Sequence, residues 1–155
     1  MMTQMEFKKF YYHTNRVTYI YEFLSQGIDY EIIIEQLTHV DQATISLHDG
    51  FTLSKNGAYE VSFDIKANRL AKRLYARALP GQVSAIQVIR QMEKALIAHM
   101  EEFNAGMYIF TASDIKLAAI YRRIIKKHHA RGNTLESGFK PIGRGYVIRT
   151  KYCYR

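Results

Sequence analysis

Residues 84 to 112 read SAIQVIRQMEKALIAHMEEFNAGMYIFTA. Within them Ala85, Val88, Ile89, Met92, Leu96, Met100 and Phe103 recur three and four positions apart, the stripe of an amphipathic helix. Ser84 precedes the series and Asn104-Ala105-Gly106 ends it. The next six residues, Met107 to Ala112, are a compact apolar run too short for a helix, and they read as a central strand. A long one-sided helix feeding a buried strand commits the chain to a sheet with helices packed on it.

Downstream, Ser113-Asp114 caps a further helix with Leu117, Ala118, Tyr121, Ile124, Ile125 and His128 inward. Its outward face carries Lys116, Arg122, Arg123, Lys126 and Lys127, and Gly132 stops it. Phe139 to Tyr154 then finishes the fold as a strand or hairpin. Upstream, Phe7 to His13 alternates as a short strand. Asn15 caps an expected helix from Arg16 to Gln26, with Val17, Ile20, Phe23 and Leu24 on one face and Gly27 as its stop. Asp29 caps a second, running to about Thr38 with Tyr30, Ile33, Ile34 and Leu37 inward. Ala43 to Leu53 and Ala58 to Ile65 are expected as a hairpin through Ser54-Lys55-Asn56-Gly57, since Asn-Gly favours positive φ at both turn positions. The basic stretch from Lys66 to Pro80 reads as a short helix or an extended loop. The expected order is β-α-α-β-β-α-β-α-β, an α+β fold with a mixed sheet, in one domain over residues 1–155.

A chain of 155 residues is the size of one ordinary domain and buries a core without staples. Its single cysteine, Cys153, forms no internal disulfide, which fits a reducing compartment. The longest tight apolar cluster is Ile32-Ile33-Ile34, far below the roughly 18 residues of a membrane span. Met1 to Lys9 lacks the apolar region of a signal peptide. The expectation is a soluble, cytoplasmic protein with no membrane partner.

Charge is unevenly distributed. Met1 to Phe63 holds four Lys/Arg against eight acids, whereas Lys116 to Arg155 holds eleven against the single Glu136. Such a block makes a positive field that attracts nucleic acid, acidic protein surfaces or phosphate-bearing ligands, or else a solvated face without a ligand. Arg122, Arg123, Lys126, Lys127 and Arg131 on one helix, then Lys140, Arg144, Arg149 and Lys151, are the expected contacts, and Gly143-Arg144-Gly145 lets a backbone approach a phosphate.

Other chemistries lack their residues. His128 and His129 are adjacent and point about 100° apart on a helix, and no Cys-x-x-Cys or His-x-x-x-His spacing exists, so no metal site is expected. Cys153 has no framing motif of a nucleophile, and Walker and dinucleotide glycine patterns are missing. A helix-turn-helix over Thr18 to Leu37 would place Glu31 and Glu35 toward phosphates, which repel them.

The strand-helix-strand-helix-strand second half resembles the GNAT superfamily of acyl-CoA-dependent N-acyltransferases. The closest local match is Ile109-Phe110-Thr111-Ala112-Ser113-Asp114-Ile115-Lys116-Leu117-Ala118-Ala119-Ile120-Tyr121. The resemblance covers roughly residues 58 to 150. It implies that Asp114 stands where the family often has an Asn, and that Tyr121 matches the Tyr that lies near the coenzyme A sulfur and protonates the departing thiolate. It also implies a pyrophosphate cradle at Gly81, Gln82, Val83, Ser84 and Ala85. Small bacteriophage proteins with a Phe-Thr-Ala-Ser-(Asp/Glu)…Tyr-x-Arg pattern are similar as well.

This chain departs from the family's (Arg/Gln)-x-x-Gly-x-(Gly/Ala) loop. Leu79-Pro80-Gly81-Gln82-Val83-Ser84-Ala85 holds one glycine, and Pro80 removes an amide donor that an anion nest would use. Tyr121 is followed by Arg-Arg-Ile-Ile-Lys-Lys and not by the family's Gly-Phe ending. Tyr121 also fits a plain inward aromatic, and Asp114 a helix-capping acid. The expected function is a non-catalytic or degenerate GNAT-like binding protein, phage-encoded and acting in the host cytoplasm. It needs no cofactor, and its basic face grips nucleic acid or an acidic partner protein. The alternative is an N-acetyltransferase that takes acetyl-CoA and acts on an amine.

Overall fold

A computed structural model of the chain describes residues 8–11, 16–25, 27–47, 49–65, 85–111, 122–123, 126, 134–139 and 145–153. The strands are β1 (Lys8–Tyr11), β2 (Val17–Ser25), β3 (Ile28–Leu37), β4 (Ala58–Ile65), β5 (Met107–Thr111), β6 (Thr134–Phe139) and β7 (Gly145–Arg149). Between β4 and β5 runs the helix α1 (Ala85–Phe103). Among the described residues the strands form one seven-stranded sheet in the order β1-β2-β3-β4-β5-β7-β6, so the fold is α+β with a mixed sheet. Every neighbouring pair is antiparallel except β4 and β5, which run parallel from Ala58↔Met107 to Val61↔Phe110.

The two helices expected over Arg16–Gln26 and Asp29–Thr38 are strands. Val17-Thr18-Tyr19-Ile20-Tyr21 and Ile32-Ile33-Ile34 are β-branched and aromatic, side chains that pack well on a pleated surface and lose rotamer freedom in a helix. Gly27 acts as a hairpin turn and not as a helix stop. Its φ of 78° reverses the chain just past Ser25, which pairs with Ile28. Leu24, expected inward, is the one large hydrophobic side chain that stands in solvent among the described residues, at 64% exposure.

The hairpin expected between Ala43–Leu53 and β4 does not form, because β3 and β5 occupy both edges of β4. A short 3₁₀ turn at Val40–Gln42 instead leads into the segment, which crosses the sheet irregularly. The turn at Ser54–Gly57 is real, closed by the Gly57 amide donating to the Ser54 carbonyl at 3.2 Å. Its purpose differs: the Gly57 carbonyl accepts from the amides of Gly106 and Met107, which sets the start of β5 against β4.

Two apolar layers sandwich the sheet. On one face Met92, Ala95, Leu96 and Met100 of α1 pack on Tyr19, Ile32, Ile34, Val61, Phe63, Phe110 and Ile148. On the other, Ile45 and Phe51 from the crossing segment pack on Leu37, Met107, Ile109, Phe139 and Val147. The expected helix and central strand from residues 84 to 112 are thus present, and the closing element is the hairpin β6–β7, which starts five residues earlier than expected. The helix expected after Ser113 and the Lys66–Pro80 stretch lie almost wholly outside the described residues. No helix among the described residues is long and apolar enough to cross a membrane.

Candidate functional site

Among the described residues β4 and β5 are the one place where parallel strands adjoin, and a parallel pair joined by a helix runs that helix back along the sheet. The amino end of α1, at Ala85, therefore lies toward the carboxyl ends of β4 and β5. β4 continues to Ile65, past Val61, the last residue it pairs with β5, while β5 stops at Thr111. In open α/β sheets ligands bind outside the carboxyl ends of such strands, and a helix amino terminus favours anions there. Of the expected pyrophosphate cradle, Ala85 is the first residue of α1. Gly81, Gln82, Val83 and Ser84 lie outside the described residues, as do Asp114 and Tyr121.

Arg122, Arg123 and Lys126 are helical and exposed. Arg122 and Lys126 are four apart in the sequence, the spacing at which residues of a helix are neighbours on its surface. Among the described residues no carboxylate forms an ion pair with any of the three. Lys127, Arg131 and Arg144, expected on the same face, lie outside the described residues, as do His128 and His129.

Two cations expected on the basic surface are engaged elsewhere. Arg149 is half-buried, pairs with Glu136 across β6–β7 and lays its guanidinium 5.2 Å from the Phe51 ring centre. Lys151 pairs with Glu101 at 3.3 Å, and that carboxylate, together with Tyr152, holds the ammonium above its ordinary pKa. Arg149 and Lys151 therefore lace the carboxyl-terminal segment to the fold.

A second polar cluster escapes the sequence reading. His99 is fully buried on the sheet side of α1, and its Nδ1 shares a hydrogen bond with the Tyr108 hydroxyl at 2.7 Å. Tyr19, Tyr59 and Phe103 close round the imidazole at centroid distances of 4.9, 4.6 and 4.7 Å. Burial lowers the His99 pKa to about 3, so the ring is neutral at physiological pH. Burial likewise pushes the Tyr108 hydroxyl well above 10, with Tyr59 and Glu101 adding to it. The cluster sits toward the carboxyl end of α1, away from the ends of β4 and β5 where a ligand would enter, and it serves packing and register. Spacing carried a signal for it: His99 lies seven after Met92, three after Leu96 and four before Phe103.

Cys153 is a buried free thiol with the Arg149 Nη1 3.8 Å from its sulfur. Among the described residues no three His, Cys, Asp or Glu side chains gather in a way that holds a metal ion. Compared with protein-family models, curated proteins and solved structures, the chain matches none of them.

Proposed function

We propose that this chain is a non-catalytic binding protein on a GNAT-like scaffold, phage-encoded, whose basic carboxyl-terminal face grips nucleic acid or an acidic partner protein. The observation that carries this reading is that Arg122, Arg123 and Lys126 are each helical and exposed. They belong to a stretch, Lys116 to Arg155, that holds eleven cations against one acid. Exposed cations neutralise the phosphates or carboxylates of a polyanion, and release of its counterions drives association with little sequence preference. The phage attribution rests on the Phe-Thr-Ala-Ser-Asp stretch at residues 110–114. Fluorescence anisotropy with a labelled mixed-sequence oligonucleotide, and in parallel with polyglutamate, tests the reading. Binding that Arg122→Glu with Lys126→Glu abolishes supports it, and unaltered affinity in that variant places the contact elsewhere.

A second reading, an acyl-CoA-dependent N-acetyltransferase, is favoured by the parallel junction of β4 and β5 with α1 as its crossover. In that reading the amides leading into Ala85 hold the pyrophosphate of acetyl-CoA, and Tyr121 protonates the thiolate. The single glycine and Pro80 in the loop count against it. Loss of turnover in Tyr121→Phe with the fold intact is the result that would favour the enzyme.

A further inference from the structure

We draw no further inference here: the strongest candidate, the acidic row Glu22–Glu31–Asp64 that strand register aligns across β2, β3 and β4, rests on register alone, its Glu22 and Glu31 already take part in interactions, and nothing in the structure points to a ligand for it.

Discussion

The imidazole of His99 on α1 and the hydroxyl of Tyr108 on β5 share a 2.7 Å hydrogen bond inside the apolar layer between helix and sheet. Tyr108 pairs in register with Tyr59 of β4, so this one bond ties the crossover helix to both strands of the parallel pair. A polar link with this reach fixes where α1 sits along the sheet in a way that methyl packing alone does not.

Tyr108→Phe removes one partner and leaves a buried imidazole nitrogen without its bond. Leaving such a group unsatisfied costs about 1–3 kcal/mol. Urea unfolding of the variant is expected to show a lower midpoint with an unchanged slope. An unaltered midpoint would mean that the bond contributes nothing to the fold.

The same histidine sets a pH dependence. Its folded-state pKa of about 3 lies below the ordinary 6.5, so the unfolded chain takes up a proton that the folded chain refuses. Stability is undiminished by this group above about pH 6.5 and falls as pH drops from there toward 3, by up to about 1.4 kcal/mol per pH unit. His99→Gln keeps a hydrogen-bonding side chain without the titration. Urea unfolding at a series of pH values between 6.5 and 4 is expected to give the variant a shallower decline than the parent chain. Parallel declines would contradict the assignment.

Gly106 marks a close approach of three segments. A Cβ there would overlap the Ser54 side chain and stand 3.1 Å from the Cys153 Cα. Gly106→Ala is expected to destabilise the fold by about 1–3 kcal/mol, the usual cost of forcing extra volume into a packed site. Ser54→Gly in the same chain removes the overlapped atoms, so the double variant is expected to lose less than the two single losses added. Strict additivity in a double-mutant cycle would show that the two residues do not meet.

Legibility in the sequence followed periodicity. Met92, Leu96 and Met100 announce α1 because a helix with one face on a sheet and the other in water keeps a clean stripe. β2 and β3 misled because both faces of each strand are covered: Thr18, Tyr19 and Ile20 are buried in succession, as are Tyr30, Glu31 and Ile32. That leaves no alternation, and the helical spacing of Val17, Ile20 and Phe23 is a coincidence of the run. β-branched and aromatic content was the better guide there. The Ala43–Leu53 segment alternates because it lays Ile45 on the sheet, and pattern alone does not tell packing on a sheet from pairing within one. Of the candidate site, Arg122, Arg123 and Lys126 were legible as an outward face, since charge at helical spacing is a direct signal. His99 was legible only as a position on the apolar stripe, since a histidine there does not declare its partner across 9 residues of chain.

Absence of acyl-CoA chemistry is a separate expectation. A ligand at about 100 times its dissociation constant stabilises a fold by roughly 2.7 kcal/mol, so thermal unfolding reports acetyl-CoA binding plainly. The binding-protein reading predicts no shift at millimolar acetyl-CoA. A clear upward shift would restore the enzyme reading in spite of Pro80.

The central claim is that the face bearing Arg122 and Lys126 holds a polyanion through its charges. Its most direct measurement is the affinity for a mixed-sequence oligonucleotide across a salt series, for the parent chain and for Arg122→Glu with Lys126→Glu. Each phosphate contact contributes about 0.9 to the slope of log affinity against log salt. The account predicts measurable binding by the parent chain, with a slope steeper by about 2 than that of the variant. Equal affinities and equal slopes for the two proteins, or no binding by the parent chain to oligonucleotide or polyglutamate at low salt, would contradict it.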